Sequence, residues 1–282
     1  MKGFINIYKP KNMSSAAVVS VVKKKFHVPC GHMGTLDPMA EGVLPVGLYK
    51  TTRLFPYLLG KTKRYVARFV FGETTDTLDI TGNVTERTGV VPDENAIKSV
   101  LPRFIGEIEQ VPPKFSAKNV DGKRGYQLAR KGVDFELAPK RVFVSDVRLN
   151  GKTGENEYEF TVDCKGGTYI RSLARDIGAA CGTVAAMSFL ARTAAGAFNE
   201  ENSVPLETFR ESDSPERFII PPDFAVDFEK LVLSESQAKK ILNGVFENYG
   251  FKDGIYRVYK GDEFWGIGET KEGVLRINAY VR

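Results

Sequence analysis

The sequence predicts an α/β fold in two domains, a large first domain and a small β-rich second one. Its 282 residues are too many for one small core and fit a large core with an appendage. Strand-like and helix-like patterns alternate along residues 1–228, whereas short strand-like runs dominate residues 229–282. We therefore expect the two domains to comprise residues 1–228 and 229–282.

The first domain is expected to begin with a strand and a helix. An apolar run from Phe4 to Tyr8 stops at Lys9-Pro10, as is typical of a short strand. After it, Ser14 or Ser15 can cap a helix whose apolar positions recur every three or four residues.

Further along, two strands and a helix are predicted. Residues 64–71 and 158–164 alternate apolar with polar side chains, which indicates strands of a sheet. Between Tyr169 and Cys181 the apolar residues recur at helical spacing, and Gly182 ends the run. This part of the chain should be a strand, a tight glycine turn and a helix.

The second domain is expected to contain one helix and several strands. Ser234 and Gln237 form a capping-box pattern at the start of a helix that Gly244 closes. The strand-like runs after it are separated by Lys-Gly-Asp and Glu-Gly turns. Prolines and acidic residues between Val204 and Glu229 predict a linker before this domain.

The composition excludes several classes of protein. No apolar run approaches the roughly 20 residues of a membrane helix, and the N-terminus lacks the apolar core of a signal peptide. We therefore expect a cytoplasmic protein. Cys30, Cys164 and Cys181 form no CxxC pair, so they should be free thiols. With His27 and His32 as the only histidines, neither a histidine-rich metal site nor a histidine-based triad is supported.

The charge distribution points to a polyanionic partner. The formal net charge is only +5, but residues 113–132 form a basic stripe with a single acid, Asp121. Its basic residues are Lys114, Lys118, Lys123, Arg124, Arg130 and Lys131. Such a cluster can be a solvated face, but Phe115 and Tyr126 are interleaved with it. Aromatic rings among cations favour a surface that binds nucleic acid.

The densest glycine pattern lies in residues 31–47, GHMGTLDPMAEGVLPVG. Four glycines with Pro38 and Pro45 exclude a long helix and predict an irregular loop. Asp37 lies between Leu36 and Pro38, so its carboxylate can enter a partly dry pocket where its reactivity is tuned. An aspartate that caps a turn is the alternative on residue types alone.

The same loop is one of several segments that together resemble a known family. Gly31–Pro38 and Glu41–Gly47 are similar to the signature loop of the bacterial TruB-type tRNA pseudouridine-55 synthases. Other similar segments, in family order, are Phe4–Pro10, Lys63–Tyr65, Gln110–Ala117, Gly167–Arg171 and Leu190–Thr193. The last fifty or so residues more loosely resemble a PUA RNA-binding module.

The resemblance implies a fold, a reaction and a partner. The fold is a mixed, largely antiparallel sheet with flanking helices and a cleft across it, followed by a PUA-like β module. The reaction is isomerisation of one T-loop uridine of tRNA to pseudouridine after the base has flipped out of the loop. It needs no cofactor or metal. The partner is the T-arm of tRNA, with no membrane and no obligatory protein partner.

The resemblance also implies roles for individual residues. Asp37 is the essential carboxylate, attacking either the ribose anomeric carbon or the pyrimidine ring, and Arg171 pairs with it. Tyr65 stacks on the target base, although it could equally be one more buried aromatic. Arg171 also falls in the first turn of a predicted helix, where the macrodipole disfavours cations. A carboxylate partner would explain its position there.

Substrate-binding roles are implied for three further residues and for the basic stripe. His32 fills the space that the flipped base leaves, and Tyr169 and Leu190 line the uracil pocket, although both also suit a core. The basic stripe matches a family insertion that closes over the T-arm.

Two rival functions can be distinguished by particular residues. A non-catalytic tRNA-binding protein or RNA chaperone would not need Asp37, Tyr65 and Arg171 together. A guide-dependent synthase acting on ribosomal RNA should lack the insertion at residues 121–130. Because this chain has both features, we predict a stand-alone tRNA-modifying enzyme.

Overall fold

The computed structural model describes residues 2–116, 119–120, 122–129 and 131–282. Its strands are β1 Gly3–Lys9, β2 Cys30–His32, β3 Glu41–Leu48, β4 Lys63–Phe71, β5 Glu73–Thr75, β6 Val84–Arg87, β7 Gly106–Gln110, β8 Asn119–Val120, β9 Lys123–Arg124, β10 Lys140–Lys152, β11 Glu157–Cys164, β12 Ala185–Ala195, β13 Phe198–Asn199, β14 Val204–Pro205, β15 Glu229–Leu233, β16 Gly254–Lys260, β17 Glu263–Lys271 and β18 Val274–Tyr280. Its α-helices are α1 Ser15–Phe26, α2 Phe55–Leu58, α3 Glu94–Val100, α4 Gly125–Ala129, α5 Ile170–Ala180, α6 Leu206–Glu211 and α7 Glu235–Leu242.

The chain forms two compact units. Unit 1 comprises residues 1–38, 42–60 and 195–282, and unit 2 comprises residues 39–41 and 61–194. In unit 1, β1 pairs antiparallel with β3 and parallel with β14, and β2 pairs antiparallel with β3. The predicted strand near Phe4 is thus confirmed as the centre of this sheet segment.

Helix α1 settles a question that the sequence left open between two serines. Ser14 is the N-cap, and its side chain accepts a hydrogen bond from the Ala17 N–H at 3.1 Å. Ser15 is the first helical residue, and its buried hydroxyl instead bonds the backbone of Leu36. The last helical residue is Phe26, and His27 follows it as the C-cap in the left-handed conformation, with φ of 53°.

The sheet of unit 2 runs in the order β12-β4-β11-β10-β7. The pairs β4–β11, β11–β10 and β10–β7 are antiparallel. The predicted alternation holds on β4, where every second side chain from Lys63 to Phe71 is buried. Phe69 stacks on Phe160 of β11 with ring centroids 4.6 Å apart. Helix α5, predicted from its apolar spacing, contributes Leu173 and Ile177 to the core.

Residues 229–280 contain a separate four-stranded sheet in the order β15-β16-β17-β18. The predicted capping box opens α7, with Ser234 and Gln237 bonded to each other's backbone. Trp265 is fully buried in a core cluster with Leu231, Val258 and Leu275. This confirms the predicted helix and strands, and the domain boundary between residues 228 and 229 stays a prediction.

The predicted linker between Val204 and Glu229 is wrong, because this segment is packed into unit 1. Val204 pairs with Ile7 of β1, and Ile220 exchanges two 2.8 Å backbone hydrogen bonds with Phe4. The buried ring of Phe209 on α6 lies 5.9 Å from that of Phe26. The prolines and acids that suggested a linker are interspersed with apolar residues that fill the core.

The glycine-rich segment 31–47 is only partly the irregular loop that the sequence predicts. Strands β2 and β3 take up both ends, and the loop is confined to residues 33–40. The glycines at the ends allow close packing rather than flexibility. A Cβ on Gly47 would lie 3.0 Å from the Phe55 ring, and one on Gly31 would lie 3.4 Å from it.

This close packing makes a stability prediction. Replacing Gly47 by Ala should lower the free energy of unfolding by about 1–3 kcal/mol, because the Phe55 ring must shift. Gly60→Ala is the matched control, since nothing lies within 4 Å of its added Cβ. Urea denaturation of both variants checks the prediction. Equal stability of the two proteins would show that the ring is not tightly held.

No helix in the described parts of the chain is both long and apolar enough to span a membrane.

Candidate active site

The loop that carries Asp37 is fixed in unit 1 on both sides of that residue. The Ser15 hydroxyl accepts a hydrogen bond from the Leu36 N–H and donates one to the Leu36 carbonyl, both at 2.9 Å. The Lys9 ammonium, fully buried, donates to the Pro38 carbonyl at 3.3 Å and to the Met13 carbonyl at 2.6 Å. Asp37 itself is partly buried. The backbone on both sides of Asp37 is therefore held by buried donors and acceptors.

His32 lies close to this carboxylate in sequence and belongs to the same unit. It is the last residue of β2 and pairs with Val46 of β3, and the next residue, Met33, donates its N–H to the Pro45 carbonyl at 2.8 Å. His32 and Asp37 thus lie at one end and in the middle of a single anchored loop.

Removing the two Ser15 hydrogen bonds should lower the activity of the site more than the stability of the fold. Ser15→Ala deletes both hydrogen bonds to Leu36, and we expect the free energy of unfolding to fall by about 1–3 kcal/mol. The rate of any reaction at Asp37 should fall further, since loosening a positioned group is costly for catalysis. Ser20→Ala on the exposed side of α1 is the matched control. The free energy of unfolding and the turnover rate are measured on both variants. Equal values for Ser15→Ala and Ser20→Ala would contradict the prediction.

Arg171 is held in unit 2 by a buried network. Its side chain is 7% exposed, and one guanidinium nitrogen lies 3.5 Å from a carboxylate oxygen of Asp79, which is 6% exposed. The guanidinium also donates to the Thr77 carbonyl at 2.9 Å and to the Phe115 carbonyl at 3.0 Å. A cation in the first turn of α5 therefore has a carboxylate partner, as the helix dipole requires. The pairing of Arg171 with Asp37 stays a prediction.

Asp79 is a site residue that the sequence reasoning missed. It lies in a turn between β5 and β6, where its carboxylate accepts hydrogen bonds from the Thr77 hydroxyl and from the Thr81 N–H and hydroxyl. Leu78 before it adopts φ of 61°, a left-handed conformation that costs a branched residue about 1–2 kcal/mol. The signal was the run of residues 75–82, TDTLDITG, dense in side chains that bond their own backbone.

Tyr65 and Leu190 lie on neighbouring strands of unit 2. Tyr65 is 7% exposed on β4, and Leu190 is 5% exposed on β12. The Ser188 hydroxyl on β12 donates to the Arg68 carbonyl on β4 at 3.1 Å, which fixes the offset between the two strands. Both residues are thus buried on the sheet, and the structure by itself fits either a pocket or a core.

Tyr169 is the N-cap of α5, and its backbone is bonded by a residue from another element. The Tyr169 N–H donates to the side-chain oxygen of Gln110, the last residue of β7, at 2.8 Å. No side chain of the helix caps its own start. The position of Tyr169 therefore depends on Gln110, which the sequence analysis did not single out.

Two buried basic residues lie on the strands that carry Tyr65 and Leu190. Lys63 is 7% exposed, two residues before Tyr65 on the same face of β4, and Arg192 on β12 is 1% exposed. Burial lowers the pKa of Lys63, and repulsion from Arg192 lowers it further. Burial and the like charge of Arg192 thus both disfavour the charged form of Lys63.

The cysteines do not compete for the role of nucleophile. All three are free thiols, as predicted. Burial raises the pKa of Cys30 and of Cys164 to about 11, so both stay protonated at neutral pH.

The structure describes only part of the basic stripe. Lys118 and Arg130 lie outside the described residues, as do the side chains of Lys123 and Arg124, whose backbones form β9. Lys131 is exposed. Lys114 is also exposed, and its ammonium lies 2.6 Å from a carboxylate oxygen of Asp134. One cation of the basic stripe is therefore already paired within the protein. The backbone of the insertion forms the β8–β9 hairpin followed by α4.

Comparison with known proteins places the whole chain in one family. Residues 23–170 match the TruB family pseudouridylate synthase N-terminal domain, residues 171–227 match the tRNA pseudouridylate synthase B C-terminal domain, and residues 230–277 match the Pseudouridine synthase II TruB C-terminal family. The chain is 40% identical to tRNA pseudouridine synthase B of Aquifex aeolicus over 98% of each protein. It is 39% identical to the same enzyme of Clostridium tetani over 100% of each.

Solved structures confirm the predicted mixed α/β fold. A chain of a Cbf5-Nop10-Gar1 complex superposes with a TM-score of 0.70 at 29% identity, covering 95% of this chain and 78% of that one. The large sheet with flanking helices and the separate C-terminal sheet are therefore those of a pseudouridine synthase. Together with the domain matches and the full-length relatives, this shows that the chain belongs to the TruB family of pseudouridine synthases.

Proposed function

We propose that this chain isomerises uridine to pseudouridine at the T-loop position 55 of tRNA, with Asp37 as the essential carboxylate. The observation that carries the proposal is the Asp37 loop, in which buried Ser15 and Lys9 fix the backbone on both sides of the partly buried Asp37. Such pre-organisation of one acidic group is what a covalent or glycosidic-bond-cleaving carboxylate needs. The tRNA pseudouridine synthase B names of the full-length relatives support tRNA as the substrate.

The reaction is redox-neutral and needs only groups that the chain supplies. The bond between uracil N1 and ribose C1′ breaks, the uracil turns, and a bond forms between C5 and C1′. The C5 hydrogen leaves as a proton, and N1 gains one. Attack of Asp37 on C1′ and attack on the uracil ring both satisfy this balance. No metal or cofactor enters either route.

The residues of unit 2 are proposed to hold the uracil and to balance charge. Tyr65 stacks on the flipped base, and Tyr169 and Leu190 line its pocket. Arg171 pairs with Asp37, and its ion pair with Asp79 holds the guanidinium in place.

Base flipping is the step that unit 1 is proposed to assist. Extruding a uridine from a folded loop costs a few kcal/mol of stacking. His32, at the end of β2, is proposed to fill the space that the base leaves. The basic stripe, from Lys114 to Lys131, is proposed to contact phosphates of the T-arm. If it does, the affinity for tRNA falls steeply as the salt concentration rises.

We propose that the enzyme acts alone in the cytoplasm, without a guide RNA or an obligatory protein partner. The relatives that match the whole chain are tRNA pseudouridine synthase B proteins by name, with no partner in that name. The hairpin and short helix of the insertion support the same proposal. A guide-dependent synthase is the second candidate, because Cbf5 in its complex shares the fold.

Mapping the product nucleotide tests the proposed target. Purified protein is incubated with unmodified tRNA transcript, and pseudouridine is located by carbodiimide modification and primer extension. We expect one stop, at the T-loop uridine, without added RNA or protein. A transcript with cytidine at that position is the control. Product elsewhere, or product only after a guide RNA is added, would overturn the proposed target.

A further inference from the structure

Gln110 has a buried hydrogen-bond donor that the fold leaves unused. Its side chain is 1% exposed, and its Nε2 has no hydrogen-bond partner within the residues that the structure describes. The orientation of the carboxamide is fixed, because the Tyr169 N–H at 2.8 Å requires the oxygen on its side. Native proteins keep few such groups unsatisfied, so an unused buried donor calls for an explanation.

The backbone around Gln110 is fixed to the helix that carries Tyr169 and Arg171. The Ser172 hydroxyl donates to the Val111 carbonyl at 2.8 Å, and the Arg171 guanidinium donates to the Phe115 carbonyl at 3.0 Å. The segment after Gln110 is therefore bonded to the first turns of α5. Gln110 itself ends β7 in register with Lys140 of β10, so its side chain stays beside Tyr169 whether or not the Ser172 bond is present.

The chemistry of the donor limits what it can bind. Because the carboxamide oxygen is occupied by Tyr169, Gln110 can offer a ligand only N–H groups. Uracil presents two carbonyl oxygens, O2 and O4, as acceptors. Cytosine has an amino group in place of O4, so a fixed donor facing that position favours uracil.

We propose that Gln110 binds the target uracil through a hydrogen bond from Nε2 to one of its carbonyl oxygens, while its Oε1 positions Tyr169. This inference rests on the proposed function. It adds to that function a residue that contacts the target pyrimidine and that discriminates against cytosine when the oxygen bound is O4. Because Gln110 is 1% exposed in this structure, the side chains that cover its donor move aside as the flipped base enters, and the donor gains its partner only then.

Two substitutions of Gln110 and one matched control test the proposal. Gln110→Glu keeps an oxygen for the Tyr169 N–H but loses the donor when ionised, and Gln110→Met loses both. Ser172→Ala removes another bond between α5 and the same segment without touching Gln110. Single-turnover rates on unmodified tRNA are measured by nuclease digestion and chromatography of the product nucleoside, and thermal unfolding reports the fold.

The expected results separate binding of the base from structural support. Gln110→Met should slow the reaction about 10- to 100-fold, the scale expected for a lost buried hydrogen bond. Gln110→Glu should be equally slow at about pH 8 and recover as the pH falls, because burial raises the pKa of a carboxyl and its protonated form donates again. Ser172→Ala should stay within about threefold of the unsubstituted protein, as a lost bond outside the site predicts.

An independent experiment changes the hydrogen-bond acceptor on the uracil instead of the donor on Gln110. tRNA carrying 2-thiouridine or 4-thiouridine at the target replaces one carbonyl oxygen by the weaker acceptor sulfur. One of the two should slow the unsubstituted protein more than it slows Gln110→Met, which identifies the oxygen that is bound.

Several outcomes would overturn the proposal. These are a full rate in Gln110→Met, an equal loss in Ser172→Ala, or thio-effects that are the same with and without Gln110. If the unsubstituted protein forms no pseudouridine on unmodified tRNA, the proposed function itself is refuted, and this role with it. If a Gln110 variant does not fold, the two thiouridine tRNAs are compared with the uridine tRNA on the unsubstituted protein alone. The absence of slowing by either thiouridine then counts against the hydrogen bond.

Discussion

Asp37→Asn should abolish pseudouridine formation while leaving the fold and tRNA binding intact. The amide is nearly the same size as the carboxylate but is neither a nucleophile nor an anion. The loop should keep its shape, because Ser15 holds the backbone of Leu36 and Lys9 holds that of Pro38. We expect the single-turnover rate to fall at least about 1,000-fold, as for other lost nucleophiles.

The measurement combines three readings on the same preparation. Chromatography of digested tRNA gives the rate, filter binding gives the dissociation constant for tRNA, and thermal unfolding gives the stability. The expected pattern is loss of the rate alone, with a dissociation constant within about threefold of the unsubstituted protein. A rate within tenfold would contradict the assignment of Asp37 as the essential carboxylate.

Arg171→Met should destabilise the protein and also inactivate it. The substitution leaves Asp79 buried without its cation, and breaking a buried pair by removing one partner typically costs about 3–5 kcal/mol. Hydrogen bonds from Thr77 and Thr81 remain on Asp79, so we expect a loss near the lower end of that range. The helix start that carries Tyr169 also loses the bond to Phe115.

A second variant separates stability from activity at Arg171. In the double variant Arg171→Met/Asp79→Asn, the side-chain oxygen can still accept the threonine bonds while the uncompensated charge is removed. We therefore expect at least about 1 kcal/mol of the lost unfolding free energy to return, without activity. Urea denaturation and single-turnover kinetics measure the two effects. Unchanged stability in Arg171→Met, or activity restored in the double variant, would contradict the network described for this residue.

Local elements could be predicted from the sequence because their signals are local. The capping box at Ser234, the alternation on β4 and the apolar spacing of α5 each depend on residues near one another in the chain. The resemblance placed Asp37, Tyr65 and Arg171 in roles without any such geometry. Those roles stay predictions, although the anchors of the Asp37 loop and the burial of Arg171 fit them.

The parts that sequence reasoning missed depend on contacts between distant residues. Proline and acidic content predicted a linker where Ile220 in fact pairs with Phe4, some 200 residues away along the chain. Gly47 contributed to the prediction of an irregular loop, because nothing in the local sequence indicates that the Phe55 ring packs against it. Likewise, only the folded chain brings Asp79 to Arg171 and Gln110 to Tyr169.

The most direct test of the central claim follows the hydrogen at uracil C5. Pseudouridine formation replaces that hydrogen, so tRNA tritiated at C5 releases tritium into water when the reaction occurs. We predict release by the purified protein alone, about one tritium per tRNA and none from tRNA that lacks the T-loop uridine. Tight tRNA binding without release would contradict the account and leave a tRNA-binding protein in its place.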